Sequence, residues 1–185
     1  MKPFEFQVAL RNRSDWPIDL VWENAQDLEH VAFLHRRTNV RFRLLDVVPC
    51  PRGERPYGRL TYLVVRRLFG FLPVTVFGFR RIAGDFEIHQ VDISPLLGVT
   101  TALRSRLEQD PSDPSKTLLL DDVTVSMPAL LRPLRTWVEA ALRRHTRIQC
   151  AEDEPYRARR HDLRERGIRL PASLLNSPLS EEVFT

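Results

Sequence analysis

The stretch LPVTVFGFRRIAGDFEIHQVDI, residues 72–93, decides the fold class. Apolar and polar side chains alternate in two segments of it, 72–80 and 84–93, and this period of two predicts strands that each bury one face. A connection this short favours an antiparallel hairpin over a crossover to a parallel neighbour. The stretch therefore predicts part of an antiparallel meander, in which Gly78, like Gly70 before it, lets the sheet bend.

Similar alternation extends the meander in both directions along the chain. Clusters of Pro, Gly, Asp and Ser, such as PCPRGERP and EQDPSDPS, separate the candidate strands. The further strands are predicted at residues 4–11, 40–48, 57–66, 96–107 and 117–126.

Two regions have helical spacing instead. Residues 16–34 carry apolar side chains three and four apart after Pro17, which predicts one or two short helices. A long amphipathic helix is predicted from Pro128, and Pro155 is expected to end or kink it near Ala151. Its apolar stripe comprises Leu130, Leu134, Val138, Ala141, Leu142, His145 and Ile148.

This element order predicts an α+β fold. A curved antiparallel sheet of about seven strands can bury its apolar face by wrapping around the long C-terminal helix, with two short helices after the first strand. Such packing commonly leaves a cavity between sheet and helix. We expect one domain over residues 1–170 and a loosely docked tail over 171–185.

Composition narrows the class of protein. The chain has 185 residues, 43% of them hydrophobic, which suits a single core. It lacks an uninterrupted apolar run of 18 residues and a signal-like start, so we expect a cytoplasmic protein without a membrane span. Its two cysteines, Cys50 and Cys150, form no CxxC, CxH or CxxH motif, which excludes zinc ribbons and cysteine-ligated iron–sulfur clusters.

The net charge of +4 comes almost entirely from arginine, because Lys2 and Lys116 are the only lysines. Residues 128–170 hold eleven arginines against six acidic residues. An arginine-rich helix can bind nucleic acid or anionic lipid, but the chain shows no nucleic-acid motif, and a solvated helix face is the simpler interpretation.

The chemically informative stretch is ENAQDLEHVAFLH, residues 23–35. On a helix Glu23, Asp27 and His30 share a face, so Asp27 can orient the ring of His30. His35 can converge with His30 only if the helix loosens between them. Two imidazoles plus a carboxylate from elsewhere would form a facial triad, which suits non-haem Fe(II). The alternative is a pair of partly buried histidines satisfied by neighbouring carboxylates.

This stretch resembles the mononuclear-iron motif of the Rieske-type aromatic ring-hydroxylating oxygenases, Glu-x3-Asp-x2-His-x4-His. The vanillate-demethylase and phthalate-oxygenase branch adds Glu-Asn-x-x-Asp-Leu-x-His, which the sequence also matches. The resemblance implies a helix-grip (START-like, SRPBCC) fold with His30 and His35 as iron ligands and Asp27 hydrogen-bonded to the first histidine. The third ligand it implies is Asp153, with Glu152 as the fallback.

The motif covers 13 residues, and the Rieske cluster ligands of that family are missing. Electrons for an oxygenase reaction would therefore have to come from a separate electron-transfer protein or from the substrate. The resemblance is also compatible with a homo-oligomer such as a trimer.

The sequence leads to three hypotheses about the function of the protein. The first is a domain that holds Fe(II), or another divalent metal such as zinc, and acts as an oxygenase-like component on a hydrophobic or aromatic small molecule. The alternative is a metal-free START-like protein that binds a hydrophobic ligand or lipid. The third, ranked last, is a basic surface that binds polyanions.

Overall fold

The structure, a computed structural model, describes residues 2–27, 39–50, 57–68 and 72–168. Within them lie seven strands, a short helix α1, a 3-10 turn and a long helix α2. The strands are β1 Phe4–Ser14, β2 Asn39–Val48, β3 Arg59–Leu68, β4 Leu72–Gly84, β5 Glu87–Ser94, β6 Val99–Asp110 and β7 Asp113–Met127. Helix α1 spans Ile18–Gln26, the 3-10 turn Ala129–Leu134 and α2 Arg135–Glu165.

The seven strands form one sheet in the order β1-β7-β6-β5-β4-β3-β2. All six neighbouring pairs are antiparallel. Strands β2 to β7 follow one another as a meander, and β1 closes the row beside β7. The predicted α+β class, with a seven-stranded antiparallel sheet and a long C-terminal helix, is confirmed.

Side-chain alternation sorts each strand into an inner and an outer face. In β4, Val74, Val76 and Gly78 are buried, whereas Thr75 and Phe77 between them are exposed. The inner faces of β1 and β7 supply a core cluster of Phe6, Val8, Leu10, Val123, Val125 and Met127. A second cluster at the other end of the sheet comprises Phe42, Tyr62, Val64, Val74 and Val76.

Helix α2 packs on the β1–β7 end of the sheet through Val138 and Leu142, together with Leu131 from the 3-10 turn. The predicted stripe is wrong at its start, because Leu130 and Leu134 are 71% and 47% exposed. They lie in the 3-10 turn, where each residue advances about 120° around the axis instead of 100°, so α-helical spacing does not apply.

The prediction that Pro155 ends α2 near Ala151 is wrong, since α2 continues to Glu165; its alternative, a kink near Ala151, stays a prediction. A proline inside a helix removes a backbone hydrogen bond and costs about 3 kcal/mol or more. Side chains beyond it offset that loss: the Tyr156 hydroxyl donates to Asp27 over 2.5 Å, and Arg160 pairs with the same carboxylate.

Two predicted elements fall outside the described residues. They are the tail at 171–185 and any second short helix within 28–34. Helix α1 confirms the first short helix. In the described ranges no helix has the length and hydropathy needed to cross a membrane.

Candidate functional site

A cavity of about 230 Å³ lies between the inner face of the sheet and the middle of α2. Helix α1 closes part of it with Val21, Asn24 and Ala25. Much of the wall is apolar, and this part includes Leu10, Phe42, Val64, Ile88, Leu103, Leu107, Leu119, Val123 and Leu142. The cavity thus has the apolar lining that suits a small organic molecule.

A cluster of polar side chains in the cavity wall joins β3 to β5 across β4. The Tyr62 hydroxyl donates to Asp92 Oδ1 over 2.7 Å, and Arg66 and Gln90 donate to Asp92 Oδ2 over 2.8 and 2.9 Å. Asp92 is buried. Burial and the neighbouring Asp92 carboxylate raise the pKa of Tyr62 far above its usual value, so the phenol stays protonated and donates.

Gly78 makes that cluster possible. It lies directly between Tyr62 and Asp92 in the strand register. A Cβ at position 78 would lie 2.0 Å from Tyr62 Cζ, so only a glycine leaves room for the ring to cross β4. We expected Gly78 to allow bending; the structure gives it this space-making role.

Asp121 lies in the middle of β7 on the inner face, in line with Leu119 and Val123. Loss of hydration in the cavity wall raises the pKa of its carboxyl, although a hydrogen bond with the Ser105 side chain partly opposes the shift. A carboxyl whose pKa is raised in a cavity wall is a candidate proton acceptor.

Helix α2 adds His145, Gln149, Cys150 and Asp153 to the cavity wall. Burial raises the pKa of the Cys150 thiol to about 11, so the thiol is protonated at neutral pH. Asp153 is buried, and its Oδ2 accepts a bond of 2.9 Å from Arg157, one turn further along the helix. Arg157 also donates to the Ser14 hydroxyl on β1 over 3.3 Å.

Arg80 reaches the same cavity from β4. One of its terminal nitrogens donates to the backbone carbonyl of Ala25. Within the ranges that the structure describes, no carboxylate forms an ion pair with Arg80. Its Nε atom is buried and has no hydrogen-bond partner among these residues.

Beside the cavity, acidic residues of α1 meet arginines of α2. Arg160 pairs with Asp27, and both side chains are almost fully buried. Arg164 extends the contact to Asp19 and Glu23 over 2.7 and 2.6 Å. We call this set of ion pairs the α1–α2 clamp. It gives part of the arginine excess a structural role, since Arg160 is buried.

The predicted metal site is only partly visible. His30 and His35 lie within 28–38, outside the described residues. Asp27 and Asp153 are described, and each is engaged by an arginine of α2. Glu152, the fallback ligand, is half-buried. Among the residues that the structure describes, no three His, Cys, Asp or Glu side chains cluster as metal ligands would. The predicted site, with His30, His35 and Asp153 as ligands and Asp27 beside His30, stays a prediction.

Sequence reasoning missed Arg66, Arg80, Asp92 and Asp121 as cavity residues. A signal was available, because each has the same strand parity as buried apolar neighbours: Asp92 with Ile88, for example. A charged residue at an inward position of a predicted strand indicates a polar group in the core or in a cavity wall.

No protein-family model matches the sequence, and no curated protein matches it either. Several solved structures are similar in fold. The Zhui aromatase/cyclase from Streptomyces sp. R1128 superposes with a TM-score of 0.66 at 17% identity, covering 85% of this chain and 96% of that one. The chain has the helix-grip fold.

Two further helix-grip structures show the same likeness. The di-domain aromatase/cyclase BexL of the BE-7585A biosynthetic pathway has a TM-score of 0.62 at 16% identity, covering 82% of this chain. This chain spans 49% of BexL, about half its length. Truncated norcoclaurine synthase from Thalictrum flavum has a TM-score of 0.58 at 7% identity, covering 81% of this chain and 94% of that one.

Proposed function

We propose that this protein binds a small, mainly apolar molecule, most simply an aromatic one, in the cavity between the sheet and α2. The observation that carries the proposal is the cavity itself, whose wall combines apolar side chains with a comparable number of polar ones. Apolar surface supplies affinity there, and the polar groups orient the ligand.

The volume of the cavity limits the size of the ligand. Ligand sites commonly enclose about 300–1,000 Å³, whereas this cavity encloses about 230 Å³. A molecule of one or two rings suits this space better than a long-chain lipid does. The similarity to two aromatase/cyclases and to a norcoclaurine synthase supports a small-molecule site.

A tryptophan placed inside the cavity tests the proposal. Leu103 points inward from β6, and Ala102 beside it is exposed on the outer face. We expect Leu103→Trp to fill the space and weaken binding of 2-naphthol at least tenfold in isothermal titration. The matched variant Ala102→Trp adds the same side chain outside and should bind as the wild type does. Equal affinity in both variants would contradict the proposal.

Acid–base chemistry on the bound molecule is a second candidate function, favoured by Asp121 and His145 in the same cavity. The raised pKa of Asp121 makes its carboxylate a stronger base than an exposed one. With an enolisable ketone such as 2-tetralone, Asp121 would take a proton from the carbon beside the carbonyl and return a deuteron from solvent.

NMR-detected deuterium incorporation into 2-tetralone tests this second function. The wild type should accelerate the exchange, and Asp121→Asn should abolish the acceleration. Asp122→Asn is the control, because Asp122 pairs with Arg11 at 3.0 Å outside the cavity. Exchange that is equal in all three proteins, or no faster than in buffer, would refute the acid–base function and leave ligand binding untouched.

The metal-dependent function rests on His30, His35 and Asp153. Of these, Asp153 already shares one oxygen with Arg157, so a cation there would compete with a guanidinium for the carboxylate. We therefore propose no Fe(II)-dependent step for this protein. Metal analysis of protein produced with added iron tests this proposal: stoichiometric iron that disappears in His30→Ala would support the metal-dependent function.

A further inference from the structure

We infer that the molecule bound in the cavity carries a carboxylate, and that Arg80 is the residue that pairs with it. The inference rests on the proposed ligand-binding function and names the chemical class of the ligand. It starts from how the arginines near the cavity are neutralised.

Three arginines at or near the cavity have a carboxylate at short range. Arg66 pairs with Asp92 at 2.8 Å, Arg157 pairs with Asp153 at 2.9 Å, and Arg160 pairs with Asp27. Arg80 differs from all three, because no Asp or Glu of the described ranges lies within ion-pair distance of its guanidinium. Asp121 acts on Arg80 only through space, so Arg80 is the cavity arginine without a direct ion pair among those residues.

Arg80 is half-buried in the cavity wall, and a cation partly shielded from water without a paired counter-ion gains when an anion enters. Arg80 sits on the inner face of β4 between Gly78 and Ile82, both buried. Its bond to the carbonyl of Ala25 fixes one end of the guanidinium against α1. Its Nε atom is a buried donor without a partner, as it is in Arg66, Arg157 and Arg160, so the missing carboxylate is what distinguishes Arg80. A guanidinium presents its N–H groups in a planar fork that matches a carboxylate.

The same end of the cavity holds a second unfilled polar atom. Asn24 is 1% exposed, lines the cavity and precedes Ala25 in α1. Its Oδ1 has no hydrogen-bond partner among the described residues. An amide oxygen accepts hydrogen bonds and cannot bind a carboxylate, so Asn24 shows only that this end of the cavity is polar. The guanidinium of Arg80 is the group that would bind the carboxylate, while the apolar wall takes the ring.

2-Naphthoate and 2-naphthamide have the same shape and differ in charge, so comparing their affinities separates the effect of the charge from that of burying the ring. We expect the wild type to bind 2-naphthoate at least tenfold more tightly than 2-naphthamide in isothermal titration. In Arg80→Gln the preference should disappear through weaker binding of the carboxylate alone. Arg80→Lys should keep a preference for the carboxylate. Arg104→Gln removes an exposed arginine that pairs with Glu87 at 2.8 Å on the outer face, and it should keep the full preference.

The outcomes separate the inference from the proposed function. If 2-naphthoate and 2-naphthamide bind the wild type equally well, or if Arg80→Gln keeps the preference, the carboxylate inference is wrong and ligand binding stands. If neither probe nor 2-naphthol binds, the proposed function itself fails. Should Arg80→Gln not fold, the Nε–H signal of Arg80 in the wild type, assigned with Arg80→Lys, must shift with 2-naphthoate and not with 2-naphthamide.

Discussion

The hydroxyl of Tyr62 reaches Asp92 across a third strand, and the two oxygen atoms are 2.7 Å apart. Tyr62 is on β3 and Asp92 on β5, with Gly78 of β4 between them in register. The ring therefore lies over a backbone position that has no side chain. This arrangement holds the polar cluster of the cavity wall in one geometry, because both oxygens of Asp92 are occupied by donors from the sheet.

Gly78→Ala should disrupt this geometry. The new Cβ would occupy the space of the buried Tyr62 ring, so the ring must turn away and lose its bond to Asp92. We expect a loss of about 1–3 kcal/mol in the free energy of unfolding, measured by urea denaturation. Gly84→Ala is the control, since a Cβ at position 84 would lie 4.0 Å from the nearest neighbouring atom. Equal stability of the two variants would show that the ring does not cross Gly78.

The α1–α2 clamp predicts a large effect at one arginine and a small one at another. Arg160→Met leaves the buried carboxylate of Asp27 without its cation and should lower the free energy of unfolding by about 3–5 kcal/mol. Arg166→Met breaks an exposed pair with Asp162 on the same helix and should change it by less than about 1 kcal/mol. Both are measured by chemical denaturation, and a loss under 1 kcal/mol in Arg160→Met would mean that the clamp does not stabilise the fold.

Asp121 makes stability depend on pH in a defined direction. Its pKa is higher in the folded chain than in the unfolded chain, because the cavity wall removes hydration. Between the two pKa values the folded chain binds more protons, so Asp121 lowers stability progressively as pH rises through that interval. Asp121→Asn removes this dependence.

The variant should therefore gain stability relative to the wild type as pH increases from 3.5 to 8, in denaturation series at matched ionic strength. A gain that shrinks as pH increases would give the opposite sign and contradict the placement of Asp121 in the cavity wall.

Cys150 should react slowly with thiol reagents. With a pKa of about 11, very little thiolate is present at pH 8. In a Cys50→Ser background, we expect iodoacetamide to alkylate Cys150 roughly a hundredfold more slowly than a free cysteine, whose pKa is about 8.5. Mass spectrometry follows the rate, and the urea-unfolded chain provides the reference. A folded-state rate near that reference would show that Cys150 is hydrated.

Most of the sheet was predictable because its alternation is local. Val74 and Val76 against Thr75 and Phe77 identify a strand with one buried face, whatever lies far away in sequence. The long helix was predictable for the same reason, but its end was not. Pro155 is a local signal to stop, and what overrides it is contact between Tyr156 and Arg160 on α2 and Asp27, more than a hundred residues earlier.

The cavity was predicted in kind and not in detail. Tyr62, Gly78 and Asp92 lie in one row because of the pairing and register of β3, β4 and β5. No short stretch of sequence determines that register. Asp27 was predicted to orient His30 by a hydrogen bond, and this role stays a prediction; the partners that the structure shows for Asp27 are Tyr156 and Arg160. The role of His30 and His35 stays a prediction.

Methyl NMR during titration with 2-naphthol tests the central claim most directly, because it reports where the molecule binds. Our account predicts shifts and intermolecular contacts at the methyl groups of Leu103, Val123 and Leu142, which line the cavity. The methyl groups of Leu96 and Leu130, which are 82% and 71% exposed, should not change. Shifts confined to these exposed leucines would contradict the account and place binding on the surface.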